Sequence, residues 1–493
     1  MTRFSWLDYT IFGAYLAASV GIGLASARGT KSLGDYFLAG RGMGSVVVGM
    51  SILAALFSGI SYLAGPAEVY KNGFAFGYVI IAFFIATPFT TLWMLPKFYQ
   101  SRFFTAYQFL EERFSLPVRL LASGLFIVRV SLWLAAATYA PALALEKVTG
   151  LPLSVTILAS GILTTVYTAC GGMRAVIWTD VMQLLVLFGG QLLIVIVALG
   201  KIPGGLGGVW DTAVADGRFN LSFSFSLAER VNFWAVLVAA SFLHLVQMAT
   251  DQVSVQRYLT AGSLKESQRS LWIKLWLVLP VLALFYGTGL VLYAFYKTHG
   301  DPLAAGLIQK EDQILPFFVV TQLPAGLPGL LIAAIYAASM STISAGLNSL
   351  ASATVIDFKQ RLSHGPERTA LQQVANARWI TVGYGVLVIL LAFSVAKMPG
   401  NLVESVNTVI GLIGGPLLGL FFLGMFTTRA TARGALLGCL AGFVSLVTLY
   451  LYQTGAFTAQ KPAMLVSFIW FSFFGCVITM GVGLLTSGRS VPR

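Results

Sequence analysis

Charge is scarce in this sequence. Asp, Glu, Lys and Arg make up 10% of the 493 residues, whereas 57% are hydrophobic and the mean hydropathy is +0.83. A soluble domain carries about 25% charged residues, so the composition excludes a soluble protein and predicts one that crosses a membrane many times. The segments between the apolar runs are too short to hold a soluble domain.

Cysteine is also rare. The chain has three, Cys170, Cys439 and Cys476, and each falls in an apolar run. A disulfide framework is therefore not expected, and we interpret the three as small buried side chains.

Residues typical of enzyme chemistry are few as well. The three histidines, His244, His299 and His364, are far apart in sequence. The chain contains no H-E-x-x-H or G-x-S-x-G pattern and no Cys/His set with metal-ligand spacing. We therefore predict that the protein is not an enzyme and has no catalytic residues.

Acidic residues are outnumbered, since 18 Asp and Glu face 31 Lys and Arg and the net charge is +13. If the N-terminus lies outside, the cytoplasmic loops hold 20 of the 31 basic residues, counting Lys274 with the loop 256–270, and the opposite loops hold 10. This bias follows the positive-inside rule. It predicts a plasma-membrane protein with the N-terminus outside and the C-terminus in the cytoplasm, and it explains the basic excess without a nucleic-acid partner.

Long apolar runs dominate what the sequence does contain. Thirteen runs have about the 20 residues that a membrane-spanning helix needs. A bundle of this size is typical of a transporter or channel. The predicted spans are 7–27, 44–70, 74–96, 120–145, 151–170, 176–199, 232–255, 271–296, 326–354, 374–396, 403–427, 434–454 and 463–486.

Some spans contain helix-breaking residues. The second span carries Gly59, Gly65 and Pro66, and we expect it to be unwound near residues 57–61. Unwound backbone is tolerated in a membrane only beside a cavity, an ion or other protein. The run "IGLIGGPLLG" (410–419) predicts another break, whereas span 232–255 is polar but has no internal Gly or Pro and is not visibly broken.

Neutral oxygens crowd into one apolar stretch, "AASMSTISAGLNS" (337–349). On a helix, Ala338, Ser341, Thr342 and Ala345 share one face. Neutral carbonyls and hydroxyls suit a monovalent cation that must bind and leave. Small residues at this spacing also allow close helix packing, and the spacing alone leaves both interpretations open.

Six ordered motifs resemble those of the sodium/solute symporter family. They are "DYFLAGRGMG" (35–44), "YAPALALEKVTG" (139–150), "YTACGGMRAVIWTDVMQ" (167–183), "DQVSVQRYL" (251–259), "IAAIYAASMSTISAGLNSLASATVIDF" (332–358) and "GLIGGPLLGLFFLGMFTTRATARGALLG" (411–438). The blocks "YAPALAL" and "AVIWTDV" most resemble the branch of iodide, multivitamin and monocarboxylate transporters. Sialic acid and sugar transporters are more distantly similar.

The resemblance implies an all-α membrane protein with about 13 transmembrane helices and a LeuT-like core of two inverted five-helix repeats. Residues 1–43 would form an extra N-terminal helix and a cytoplasmic loop. Residues 44–427 would form the ten-helix core, with repeat one at 44–199 and repeat two at 232–427. Residues 428–493 would add two peripheral helices and a cytoplasmic tail.

The resemblance also implies a main sodium site between the broken first core helix and the eighth. It places the carbonyls of Ala54, Phe57 and Ala338 and the hydroxyls of Ser341 and Thr342 around the ion.

A second sodium site or an ion exit route would use Asp180 and Ser344. The next hydroxyl expected there is Ala345 in this chain, so we favour one sodium ion per cycle over two. Asp180 could instead pair with Arg174 or cap a helix.

The substrate residues are less well defined by the resemblance. Arg129 is costly within a span unless paired, and it would either receive a substrate carboxylate or pair with Asp180 or Asp251. The other candidates are Ser58, Gly59, Ser61, Trp133, His244, Gln247, Glu404 and Asn407.

Together these features predict a sodium-coupled symporter that imports a small organic solute, a carboxylate or a sugar-like compound, by alternating access. A proton-coupled transporter of the same fold is the first alternative, and a sodium-conducting channel is the second. Sodium is the expected ion, the solute and the bilayer are the expected partners, and no obligate protein partner is evident.

Overall fold

The computed structural model describes residues 5–324, 326–363, 369–395, 402–457, 462 and 464–488. Within these ranges the chain is all-helical, and its only β pairing is an isolated bridge between Met43 and Ala261. The helices are α1 (Trp6–Ser26), α2 (Leu33–Leu38), α3 (Ser45–Leu56), α4 (Gly59–Asn72), α5 (Ile80–Phe89), α6 (Leu95–Gln100), α7 (Gln108–Arg113), α8 (Leu116–Thr149), α9 (Leu153–Leu199), α10 (Gly205–Ala215), α11 (Ala240–Leu245), α12 (Gln252–Tyr258), α13 (Leu264–His299), α14 (Ile314–Gln322), α15 (Leu327–Ala353), α16 (Gln360–Leu362), α17 (Ala370–Val395), α18 (Leu402–Phe426), α19 (Ala432–Gln453) and α20 (Phe471–Leu485).

Wider π-helical turns continue several of these helices. They lie at Thr90–Met94, Ala235–Ala239, Val246–Thr250 and Thr354–Lys359. Short 3₁₀ turns lie at Ala39–Arg41, Phe74–Val79, Glu311–Gln313 and Phe468–Trp470.

Ten helical segments in the described ranges are long and apolar enough to cross a membrane, and two bent helix pairs raise the number to 12. One of the ten, α9, has 47 residues, about 70 Å at 1.5 Å per residue, against a hydrocarbon core of about 30 Å. Its backbone leaves helical geometry at Gly172 (φ 59°, ψ −154°). We therefore count it as the two predicted spans 151–170 and 176–199, which accounts for all thirteen apolar runs.

The first bent pair is α3 and α4, which meet at an angle of 60°. The break lies at Phe57 (φ −96°, ψ 97°), and the Ser58 side chain caps α4 by accepting from the Ser61 N–H. A Cβ at Gly59 would meet Ser339 Oγ at 2.1 Å, so any side chain here would force Ser339 to change its rotamer. The predicted break is therefore in the expected place, although Pro66 lies inside α4.

The second bent pair is Ala235–Thr250 with α12, at an angle of 57°. The backbone turns at Asp251 (φ −87°, ψ 118°), whose side chain accepts from the Val253 N–H and caps α12. The span 232–255, in which the sequence shows no visible break, is therefore broken at Asp251. The break has no glycine or proline because a capping carboxylate supplies the lost hydrogen bond.

The break expected at 410–419 is also wrong, because α18 runs through it as one helix with Pro416 inside. Its glycines serve close packing instead. A Cβ at Gly415 would meet the Ser472 carbonyl oxygen at 2.8 Å, and one at Gly419 would meet Thr479 Cβ at 2.6 Å. Glycine here brings the backbones of α18 and α20 together.

Helix α15 is the centre of the bundle. In the most apolar part of its span 94% of residues are buried, against 17% for α1. It packs against α9, α8 and α1. The buried Asp8 carboxylate of α1 accepts from the N–H groups of Gly326 (2.9 Å) and Gly329 (2.7 Å), so α1 caps the first turn of α15.

Candidate functional site

The broken helix and α15 meet through backbone carbonyls and hydroxyls. Ser341 Oγ lies 3.1 Å from the Ala54 carbonyl oxygen and 3.0 Å from that of Ala338, and donates to these acceptors. Thr342 Oγ1 donates to the Ala338 carbonyl at 3.2 Å and lies 3.5 Å from that of Ala55. All of these residues are buried.

Four of the five residues predicted to hold sodium are thus linked by hydrogen bonds. The fifth, Phe57, lies at the break, directly after α3. The Phe57 N–H donates to the Ala54 carbonyl at 3.2 Å, and its ring packs 5.3 Å from that of Phe285. The carbonyls of Ala54 and Phe57 lie at the C-terminal end of α3, where the helix dipole is negative. Neutral oxygens at a negative helix end fit a monovalent cation.

The Ala55 carbonyl was not predicted. It belongs to the same last turn of α3 as Ala54 and faces Thr342. The only signal in the sequence is its position one residue further along, at the end of the helix, where carbonyls lack intrahelical partners.

Asp180 lies at a junction of three helices. Its Oδ2 accepts from Arg257 at 2.8 Å and from Ser51 Oγ at 2.5 Å, and Arg257 also donates to Ser51 at 2.9 Å. Asp180 and Arg257 are fully buried, whereas the expected partner Arg174 is exposed. Asp180 therefore joins α9 to α3 and α12 through Arg257, a partner that sequence reasoning missed.

Ser344 has no hydrogen bond to Asp180, Arg257 or Ser51. Its Oγ donates to the Ser341 carbonyl at 3.0 Å, one turn back on α15. Asp180 Oδ1 is buried without a hydrogen-bond partner. The two residues proposed for a second ion are not joined to each other here, and their role stays a prediction.

Arg129 pairs with Asp251, one of its two predicted structural partners. Its Nη2 lies 2.7 Å from Asp251 Oδ2, and both side chains are buried. Asp251 is the residue at which the second bent helix turns, so the ion pair fastens α8 to the bend. The guanidinium is thereby occupied by a protein carboxylate.

The remaining substrate candidates lie on several elements. Ser58 Oγ is 3.4 Å from Ser61 Oγ at the first break, and Trp133 is half-buried on α8. Gln247 and Asn407 are half-buried on the Val246–Thr250 turn and α18, two elements that pack together. His244 packs against the Phe83 ring, with centroids 3.9 Å apart and an interplanar angle of 37°. The Glu404 side chain lies outside the described part of the structure.

Lys274, which the charge count grouped with the cytoplasmic loop 256–270, lies in a helix instead. It is fully buried in α13. Lys274 lies inside the predicted span 271–296, and the helix begins at Leu264, seven residues before that span.

Comparison with known proteins agrees with this architecture. Residues 36–442 match the model of the sodium:solute symporter family. The sodium-dependent multivitamin transporter of Oryctolagus cuniculus is 36% identical over 450 residues, covering 90% of this chain and 70% of the relative. Sodium-coupled monocarboxylate transporter 1 of Homo sapiens is 34% identical over 442 residues, covering 88% and 72%.

A solved structure is also similar throughout. It is a Na⁺-coupled sialic acid symporter in a substrate-bound, outward-open state, and it superposes with a TM-score of 0.89 at 28% identity. The match covers 99% of each chain.

Proposed function

The chain belongs to the sodium:solute symporter family, and on that premise we propose that it imports a small organic solute together with sodium by alternating access. Its relatives are transporters, not enzymes, and it is a multi-pass membrane protein. The proposed solute is a carboxylate or a sugar-like compound. Relatives named for monocarboxylates and for sialic acid support this class.

The proposed sodium ligands are the carbonyls of Ala54, Phe57 and Ala338 with the hydroxyls of Ser341 and Thr342. The contact between Ser341 and Ala54 carries this proposal, because it joins the end of a broken helix to α15 through neutral oxygens alone. Such oxygens bind a monovalent cation without the net negative charge that favours divalent ions. One ion per cycle is proposed, since Ala345 supplies no hydroxyl for a second.

The positions of these proposed ligands support alternating access. They belong to two elements, so any motion that separates α3 and α4 from α15 divides the ligand set and releases the ion. Sodium then has a different affinity for the two states, as any ligand that shifts a conformational equilibrium must. The proposed orientation in the plasma membrane has the N-terminus outside and the C-terminus in the cytoplasm. The membrane potential then contributes about 2.3 kcal/mol per 100 mV for each charge that crosses with the ion.

We also propose that residues 44–199 and 232–427 are two inverted repeats. The two bent helices support this division, because they are the first span of each proposed repeat and have similar angles of 60° and 57°. In each, a side chain at the bend caps the following helix, Ser58 in one and Asp251 in the other.

Uptake into proteoliposomes tests the proposal. Labelled monocarboxylates, sugar acids and neutral sugars are offered with an inward sodium gradient, with equal sodium on both sides, and with potassium replacing sodium. We expect accumulation of at least one acid or sugar only with the sodium gradient. Uptake that ignores sodium but follows a proton gradient would instead identify proton coupling.

A further inference from the structure

Four basic side chains are almost completely buried in the described part of the chain, and three of them form an ion pair with a carboxylate. Arg119 pairs with Asp357 at 2.6 Å. Arg129 pairs with Asp251 at 2.7 Å, and Arg257 pairs with Asp180 at 2.8 Å. The fourth is Lys274, which is 0% exposed.

Lys274 has only weak acceptors around it. Its Nζ lies 3.3 Å from Met248 Sδ, 3.4 Å from Thr87 Oγ1 and 4.5 Å from the centre of the Phe83 ring. No ion pair of Lys274 occurs among the residues that the structure describes. A thioether, a hydroxyl and an aromatic face do not neutralise an ammonium in a low-dielectric interior.

A second polar group beside Phe83 also lacks a partner. His244 is 8% exposed and packs against the same ring, with centroids 3.9 Å apart. Gln247 lies beside the imidazole, but neither ring nitrogen has a partner with hydrogen-bond geometry. An ammonium and an imidazole therefore both contact the Phe83 ring, and the imidazole nitrogens have no hydrogen-bond partner, which is costly unless a ligand satisfies them.

We propose that Lys274 and His244 bind the carboxylate of the transported solute. The proposal rests on the symport function proposed above and narrows its substrate class to acids. Each of the three buried arginines has a carboxylate of the protein as its counter-charge, and Lys274 has none among the described residues. A solute carboxylate would supply that counter-charge. His244 would donate a hydrogen bond to the same group.

The position of the pair suits a site that opens and closes. Lys274 belongs to α13, Phe83 to α5, and His244 and Met248 to the segment that bends at Asp251. The site thus lies between three elements, directly before one of the two helix breaks. Because Lys274 is buried, these elements must separate to admit a solute.

Thermal unfolding of the detergent-purified full chain tests the proposal without variants. L-lactate and nicotinate are compared with lactamide and nicotinamide, their uncharged counterparts, in sodium. We expect at least one of the two acids to raise the unfolding temperature and its amide to leave it unchanged. Stabilisation by the amides alone would overturn the proposal.

Lys274→Met then identifies the residue, with Lys265→Met as the matched control. Lys265 lies exposed on the first turn of the same helix, so its loss removes an equal charge from α13. We expect Lys274→Met to weaken acid binding at least about tenfold, and Lys265→Met to leave it unchanged. Without acid, Lys274→Met should unfold at no lower temperature than the wild type, because it removes an unpaired buried charge.

The outcomes separate this proposal from the one on which it rests. Unchanged acid binding in Lys274→Met overturns the carboxylate site. Sodium-dependent stabilisation measured without any solute reports on sodium binding alone, and its absence would overturn sodium coupling instead. If Lys274→Met does not fold, the comparison of acid with amide in the wild type still decides whether the protein recognises a carboxylate.

Discussion

Truncating Ser341 to alanine is the most direct test of the sodium site. The hydroxyl stands between the Ala54 carbonyl at 3.1 Å and the Ala338 carbonyl at 3.0 Å. Removing it deletes one proposed ligand and the contact that joins the broken helix to α15. Ser341 is 1% exposed, so water does not replace the lost oxygen readily.

The loss of sodium affinity follows from what the sodium-bound and the sodium-free protein each lose. With sodium bound, a contact between a hydroxyl oxygen and a charge is worth about 1.5–3 kcal/mol. Without sodium, the single O–H proton makes one neutral hydrogen bond worth about 1 kcal/mol. Sodium binding therefore loses about 0.5–2 kcal/mol, equivalent to about 2- to 30-fold in affinity.

Sodium-dependent thermal unfolding measures this shift before the solute is known. The protein is titrated with NaCl at constant ionic strength against KCl, and the unfolding temperature reports the half-saturating sodium concentration. Ser352→Ala is the matched control, because Ser352 lies on the same helix, is fully buried, and has an Oγ without a hydrogen-bond partner. The double variant Ser341→Ala/Thr342→Val is expected to lose most of the sodium-dependent stabilisation.

A folded Ser341→Ala protein with the half-saturation of the wild type would refute the reasoning. The double variant makes the test stricter, since both hydroxyls of the proposed site are then absent. Retained sodium stabilisation in that protein would place the ion elsewhere. An equal shift in Ser352→Ala would show that any buried truncation in α15 has this effect.

The remaining predictions concern the helix break, the buried ion pair and the carboxylate of Glu111. Gly59→Ala should reduce transport because the new Cβ would meet Ser339 Oγ at 2.1 Å, and uptake should recover in part when Ser339→Ala is added; no recovery would argue against this clash. Asp180→Asn should lower the free energy of unfolding by about 3–5 kcal/mol, because it leaves Arg257 buried without a counter-charge; denaturant unfolding checks this, and a loss near zero would contradict it. Burial alone would raise the pKa of Glu111, but hydrogen bonds from two guanidinium groups outweigh it and lower that pKa. This carboxylate therefore stabilises the fold above its unfolded pKa of about 4.3, and the contribution is lost as the pH falls through the lower folded value. Unfolding temperatures of Glu111→Gln and wild type should accordingly differ at pH 7 and converge at strongly acidic pH; an equal difference at every pH would contradict it.

Membrane-spanning segments were predictable because hydropathy is a local property. Thirteen apolar runs match the described helices once α9 is counted as two spans. The break near residues 57–61 was predictable for the same reason, since Gly59 and the following Gly65 and Pro66 weaken a helix wherever it packs. The family resemblance added the pairing of that break with Ser341 and Thr342.

The partners of the buried charges were not predictable in this way. Arg257 and Asp180 are 77 residues apart, and Arg129 and Asp251 are 122 residues apart. Which carboxylate meets which guanidinium depends on how the helices cross, and no local pattern encodes that crossing. The sequence therefore left two partners open for Arg129 and suggested an exposed arginine for Asp180.

By itself the sequence determined that this is an all-helical membrane protein of the sodium:solute symporter type, and where its neutral oxygens lie along the chain. Tertiary structure alone decided that Asp251 bends a helix lacking glycine and proline, that the glycines of α18 pack rather than break it, and that Lys274 is buried without a carboxylate. The physical reason is common to all three. A bend, a close helix contact and an unpaired charge each have their cost set by neighbours distant in sequence, whereas apolar length is set by consecutive residues.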